Sequence, residues 1–265
     1  MLIDTHCHLD AAEFDADRDA LVCNALAVGV EALVVPAVTP DNFIAVRTSA
    51  ERYRHTYPAY GTHPLYVDRV DETACITALR SWLENEMEGS CAPVAVGEIG
   101  LDFYVPGVDA ALQERVFVRQ LKIARDFDLP VLLHVRRSVD AVLKCLRRIG
   151  VCGGIAHAFN GSRQQADEFL RLGFRLGFGG TLTFPRATRI RALAKDLPIS
   201  AIVLETDAPD IPPAWLSGRR NTPAELGRIA AILADLRGVD GAEVARFTSG
   251  NAIDVLRLHA RIPFR

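Results

Sequence analysis

Five histidines and two acids of this sequence stand where short apolar runs end: His6, His8, His63, His134 and His157, with Glu98 and Asp207. A buried imidazole or carboxylate needs a polar partner or a shared ion, because leaving it unpaired away from water is costly. Neutral imidazole offers one lone pair to a divalent ion, whereas a carboxylate has two oxygens and can bridge two ions. Four imidazoles and two carboxylates exceed what one tetrahedral ion takes, so the set points to two divalent ions bridged by Glu98. The His6-x-His8 pair carries weight only on a strand, where residues i and i+2 share a face; in a loop that spacing means little. Taken singly, each histidine would read as a packed core residue and each acid as half of a structural salt bridge. Their recurrence at one end of several elements favours a metal site. His55 and His259 fall elsewhere and carry no such implication.

Such residues need a scaffold that brings them to one place. The runs Leu2–Leu9, Ala32–Val38, Ala59–His63, Val94–Gly100, Val131–Val135, Gly154–Phe159, Phe174–Gly180 and Ala201–Asp207 read as eight strands. Between them apolar residues recur at helical spacing, as in Leu112–Phe127, where Leu112, Val116, Phe117, Leu121 and Ala124 share one face. Successive strand ends lie 23 to 36 residues apart, the length of a βα unit. Eight such units predict an α/β fold, a single (β/α)8 TIM-type barrel over residues 1–265, with the active site at the C-terminal ends of the strands. An open doubly wound sheet fits less well, since the first strand runs into Cys7-His8-Leu9-Asp10 without the glycine-rich turn such sheets use to hold a nucleotide.

Thirty basic against 33 acidic residues give a net charge of −3, which leaves no overall basic footprint for duplex binding or membrane anchoring. Nucleic-acid chemistry would have to reside in a local site. The N-terminus has no basic-then-apolar leader, no apolar run reaches 18 residues, and the six cysteines form no Cys-x-x-Cys pair. These features set the expectation of a soluble cytoplasmic protein with reduced thiols, monomeric and without an obligate protein partner.

The ordered motifs Asp4-Thr-His-Cys-His-Leu9, Gly61-Thr-His-Pro64, Gly97-Glu-Ile-Gly-Leu-Asp-Phe-Tyr104, His134, His157-Ala-Phe-Asn-Gly161, Glu205-Thr-Asp-Ala-Pro209 and Arg220-Asn-Thr-Pro223 resemble those of the TatD family of metal-dependent hydrolases, within the amidohydrolase-like superfamily. The resemblance spans nearly the whole chain. It implies one ion held by His6, His8, Glu98 and Asp207 and a second held by Glu98, His134 and His157. It also implies a deoxyribonuclease of 3'-5' exonuclease type, acting on single-stranded DNA or on 3' ends. Many superfamily relatives bridge their ions with a carbamylated lysine, but Lys122, Lys144 and Lys195 all fall in predicted helices, which favours the Glu98-bridged subtype. Thr248-Ser-Gly-Asn-Ala252 is similar to the family's closing motif, although the Ile-Asp-Val-Leu that follows departs from its usual basic and aromatic residues.

Two ions can activate a water, orient a phosphodiester and stabilise charge on the attacking and leaving oxygens. In that chemistry Asp207 is expected to ligate and to accept the proton of the water, and His63 to donate a hydrogen bond to the phosphate or leaving group. Glu205, two residues before Asp207, is placed to orient a ligand histidine from deeper in the barrel, and Asp4 stands in the same relation to His6. Arg219, Arg220 and Asn221 are candidates for pairing with phosphate, and Phe103 and Tyr104 for stacking on a base. Mixed imidazole and carboxylate ligands suit Zn, Mn, Mg or Ni. Two other readings stand beside the nuclease: an amidohydrolase or lactonase acting on a small metabolite, and a non-catalytic metal-binding scaffold with a closed site. No Gly-x-Ser-x-Gly elbow or Gly-x-x-x-x-Gly-Lys phosphate loop supports another catalytic plan.

Overall fold

The structure, a computed structural model, describes residues 1–262. The eight strands are β1 (Leu2–Asp4), β2 (Val30–Pro36), β3 (Thr56–Tyr60), β4 (Ala95–Asp102), β5 (Val131–Arg136), β6 (Gly154–Ala156), β7 (Phe174–Phe178) and β8 (Ile202–Leu204). Helices between and after them are α1 (Arg18–Ala27), α2 (Phe43–Arg52), α3 (Glu72–Glu86), α4 (Ala110–Asp126), α5 (Val139–Ile149), α6 (Arg163–Arg171), α7 (Thr188–Asp196), α8 (Leu226–Arg237) and α9 (Gly241–Val255). The strands pair in parallel in the order β1 to β8. At the seam, Thr5 N–H donates to Leu204 O at 3.0 Å and Asp207 N–H to His6 O at 2.8 Å, which brings the sheet nearly to closure as a barrel.

Local chemistry starts and stops the helices. Asp71, Asp109 and Asp240 accept from first-turn N–H groups of α3, α4 and α9, and Ser162 with Gln165 forms a capping box on α6. Because parallel strands are covered on both faces, alternate residues enter different cores. On β5, Val131 and Leu133 join the large cluster between strands and helices, while Leu132 joins Ile3, Val34, Ile155 and Val203 in a second cluster. Ile253, Leu256 and Leu258 from the C-terminal helix and its end pack into that second cluster. By the same alternation, the residue after Leu133 on the Leu132 side is His134. Asn251 of the closing motif donates to Ile199 O and Ile202 O at 2.8 and 2.7 Å, fastening α9 to the start of β8.

Several strands are shorter than the apolar runs that announce them, because the runs continue into the extended segments of the barrel mouth. Glu98 and His134 lie within β4 and β5, whereas His6, His8, His63, His157 and Asp207 follow their strands by one to four residues. Lys122, Lys144 and Lys195 all lie in helices, on α4, α5 and α7. All six cysteines are free, and Cys7 is fully buried. No described helix is long and apolar enough to cross a membrane.

Candidate metal centre

His6 and His8 lie beyond the regular ladder of β1, which corrects the expectation that they share a strand. Backbone hydrogen bonds nevertheless tie their segment to the neighbouring strands. Thr5 N–H bonds toward β8, Cys7 N–H donates to Val34 O of β2 at 3.0 Å, and His8 N–H donates to Ala208 O at 2.8 Å. These bonds to both neighbouring strands hold the segment without a regular ladder, and the two imidazoles meet, their Nε2 atoms 3.3 Å apart.

The two oxygens of Glu98 divide the cluster. Glu98 Oε2 lies 3.1 Å from His6 Nε2 and 3.6 Å from His8 Nε2, and Asp207 Oδ1 lies 3.5 and 3.6 Å from the same two nitrogens. Glu98 Oε1 lies 2.9 Å from His134 Nδ1, 3.7 Å from His157 Nε2 and 3.4 Å from His63 Nε2. Among the described residues, donor atoms of three triads fall within 4.8 Å of one another: His6, Glu98 and His157; His6, His8 and Asp207; and His63, Glu98 and His134. The rings of His6 and His157 stack at 3.9 Å between centroids.

Which nitrogens can ligate follows from what the other nitrogen of each ring meets. His134 Nε2 lies 2.8 Å from Asp102 Oδ2, so Nε2 carries the proton and Nδ1 presents toward Glu98. His157 Nδ1 lies 3.3 Å from Glu205 Oε1, misaligned for a hydrogen bond but close enough to hold a proton there, which leaves Nε2 facing the site. His63 is different. Its Nδ1 accepts the Leu65 N–H at 3.2 Å, so in the neutral ring the proton sits on Nε2, and that nitrogen donates rather than ligates.

Burial and charge act against each other throughout. Burial drags His6 down to about 3, and it also lowers His63. Burial opposes protonation of His157 too, yet the Glu205 and Asp207 carboxylates outweigh it and raise the ring to about 10. His134 is likewise raised, the hydrogen bonds to Asp102 and Glu98 overcoming its burial. For Glu98, desolvation is outweighed by His63 and His6, and its carboxyl is held well below the usual range. Asp207 is raised to about 6 by burial, with His157 and His8 pulling the other way. The cluster of carboxylates thus calls for positive charge at the positions where His134 Nδ1 and His157 Nε2 would hold a second proton, and a divalent ion is the other way to supply it. The donor set fits such ions: nitrogens and oxygens converge, and no thiol points in.

Several buried contacts fix this geometry. Gly100, at φ +154 between Glu98 and Asp102, pairs with His134, and a Cβ there would overlap the His134 carbonyl oxygen, so glycine lets β4 place one acid on each side of that ring. Gln113 and Gln120, one side of α4, each clasp the backbone N–H and C=O of one residue: Gln113 accepts from Asp102 N–H at 2.8 Å and donates to Asp102 O at 3.0 Å, and Gln120 does the same for Thr62, next to His63, at 2.7 and 3.0 Å. Glu205 nests against Gly177 and accepts the Ala158 N–H at 2.5 Å, beneath His157. Asp4 is a fully buried acid that accepts from the Thr206 hydroxyl at 2.5 Å and the Thr206 N–H at 2.9 Å; burial, only partly offset by those bonds, raises it to about 8. Asp4 therefore ties β1 to the loop carrying Asp207. Asp207 itself has φ +57, a left-handed conformation held by its N–H bond to His6 O and by Asn221, whose side chain donates to Thr206 O and Asp210 O, both at 2.8 Å.

Asn221 is thus a buried brace of the loop, not a rim group for phosphate. Arg220 also departs from expectation, since its guanidinium is engaged by both oxygens of Asp17 at 3.0 and 2.6 Å. Arg219 Nε donates to Leu216 O at 3.2 Å. Sequence reasoning assigned no role to Asp102 or to the two glutamines. A signal existed for each: Asp102 is four residues beyond Glu98 on one strand, hence on its face, and Gln113 and Gln120 interrupt the apolar side of an amphipathic helix. The site opens to solvent at His8, His134 and Asp207, whose side chains are 15, 15 and 13% exposed, while His6 is sealed at 0%.

Residues 3–257 match the family model described as TatD related DNase. The chain is 38% identical over 250 residues to the uncharacterized metal-dependent hydrolase YjjV of Escherichia coli, covering 94% of this chain and 95% of that protein. It is 33% identical over 261 residues to the uncharacterized metal-dependent hydrolase YabD of Bacillus subtilis, covering 98% and 100%. The crystal structure of YjjV, a TatD homologue, superposes with a TM-score of 0.91, covering 96% of this chain and 97% of that one. The convergent donors in the mouth of an eight-stranded barrel and the full-length match lead to one conclusion: the chain belongs to the TatD family of metal-dependent hydrolases.

Proposed function

We propose that the protein is a phosphodiesterase acting on DNA, most readily on single strands and 3' ends, through two divalent ions bridged by Glu98. The observation that carries this reading is the division of Glu98, each oxygen facing its own set of nitrogens in a site open to water at His8, His134 and Asp207. His6, His8, Glu98 and Asp207 would hold one ion, and Glu98, His134 and His157 the other. When bound, such a pair supplies an activated water and stabilises the charge that develops on the phosphate. Zn, Mn, Mg and Ni are the candidates for this nitrogen and oxygen set. The family description adds the DNase character.

Within that frame Asp207 is the base. Its carboxylate lies at the solvent edge of the cluster, 13% exposed and within 3.6 Å of His6 and His8, where it can accept the proton of an attacking water. His63 supplies the opposite polarity. With Nδ1 committed to the Leu65 N–H, its Nε2–H, now 3.0 Å from His134 Nδ1, can turn to a phosphate oxygen or to the departing oxygen once His134 is otherwise engaged. The open edge argues against a closed, purely structural ion site.

The direct test loads metal-stripped protein with Mg, Mn or Zn and follows end-labelled single-stranded DNA on a gel. Stepwise shortening from the 3' end under at least one metal is expected. Intact DNA under all three, with turnover of a lactone or amide instead, would replace this reading with that of a small-molecule hydrolase. A second expectation concerns the Asp102 brace. Asp102→Asn keeps the shape of the side chain but removes the anion that holds the His134 proton on Nε2, so affinity for one of the two ions should fall about 10–100-fold. Metal titration of the folded variant checks it, and two ions bound at wild-type affinity would show that Asp102 does not set the tautomer.

A further inference from the structure

The loop after β4 carries an arrangement that hydrolysis at Glu98 does not use. Asp102, whose Oδ2 faces His134, accepts with its other oxygen from Tyr104 N–H at 2.8 Å and Val105 N–H at 3.1 Å. Phe103 N–H donates to Arg136 O at 2.9 Å, so the loop is stitched both to Asp102, the acid behind His134, and to the end of β5. The exposed Tyr104 ring carries two guanidiniums, with Cζ of Arg136 at 3.9 Å and Cζ of Arg137 at 4.6 Å from its centroid. Among the described residues neither arginine meets a carboxylate within 4.0 Å or makes a side-chain hydrogen bond, unlike Arg220, which Asp17 engages. Arg137 has φ +55, a left-handed conformation disfavoured for a residue with a Cβ. Arg137 and the exposed Phe103 line, with Ser138, Asp140 and Gln165, a groove of about 430 Å³. The one acid there, Asp140, is engaged by Gln165 Nε2 at 2.9 Å.

Resting on the phosphodiester reading of the metal centre, we propose that Arg136 and Arg137, held on the Tyr104 ring, form a phosphate subsite that grips the backbone of a single strand one nucleotide away from the bond being hydrolysed. A guanidinium whose face lies on an aromatic ring keeps its edge N–H groups free, and that edge is the part that matches a phosphate. Arg136 is two residues beyond His134 on the same strand, about 7 Å along it, a distance comparable to that between consecutive phosphates of an extended strand. With the Tyr104 ring given over to the arginines, stacking on a base falls to Phe103 alone, which is exposed beside the groove. The subsite selects for chain length: a substrate with one phosphodiester and nothing beyond it cannot reach both places.

The test compares wild type with the Arg136→Gln/Arg137→Gln double variant. Binding of fluorescent oligothymidylate is measured against salt, and hydrolysis is measured on a 12-mer and on bis(4-nitrophenyl) phosphate. Loss of two phosphate contacts should flatten the slope of log K against log salt by about 1.4. The KM for the 12-mer should rise about tenfold or more beyond any change for the small diester. An unchanged salt slope, or an equal loss on both substrates, would overturn the subsite. Should wild type hydrolyse neither substrate, the phosphodiesterase reading fails, and the salt slope alone still decides whether the arginines hold a strand. If the double variant does not fold, Arg137→Gln, on an exposed side chain, should flatten the slope by about 0.7.

Discussion

Glu98→Gln is expected to lower hydrolysis by about a thousandfold or more and to reduce bound metal to fewer than two ions per chain. The substitution preserves volume, so the barrel has no cavity to fill. What changes is the group proposed to bridge the ions: one oxygen becomes an NH2, which has no lone pair to offer, and the negative charge disappears. Whichever way the amide turns, one of the two nitrogen sets, His6 with His8 or His134 with His157, faces a donor in place of an acceptor. The thousandfold corresponds to about 4 kcal/mol of transition-state stabilisation, the scale of charge stabilisation by a bound divalent ion. Steady-state rates on labelled DNA together with elemental analysis of the purified variant provide the check. Retention of two ions with turnover within tenfold of wild type would remove Glu98 from the bridge.

Asp207→Asn should separate ligation from proton transfer. The asparagine keeps a carbonyl oxygen that can still approach His6 and His8, but it cannot take a proton from water. The expected result is a fall in kcat of about 10²–10⁴ with KM much less affected. The backbone supports this reading of the variant as a clean one: the left-handed φ at residue 207 is tolerated by asparagine as well as by aspartate, and the N–H bond to His6 O does not involve the side chain. A rise in KM at unchanged kcat would instead assign Asp207 to binding. Measuring metal content alongside the kinetics shows whether any loss of rate comes with loss of an ion.

Much of this could be read from the residues. Apolar runs 23 to 36 residues apart specify eight βα units because strand and helix periodicity are local properties, and the histidines and acids at their ends mark the mouth. Strand ends were less legible: the run through His8 looks like one strand, yet regular pairing stops at Asp4, since the chain beyond bonds alternately to β8 and β2 without a continuous ladder. Arg220 shows another limit. Its position in a loop at the mouth is visible in the sequence, whereas Asp17, 203 residues away, neutralises it only after folding.

By itself, then, the sequence determined the order of the elements, the lone pairs and charges available, and the end of the barrel to which they are delivered. Only the tertiary structure decided which nitrogen of each histidine is free. His134 presents Nδ1 because Asp102, from the neighbouring strand, claims Nε2, and His63 presents an N–H because a backbone amide claims its Nδ1. An imidazole has one proton to place and no preference strong enough to place it alone. The partner that does so is set by packing between strands, which no local pattern of residues encodes.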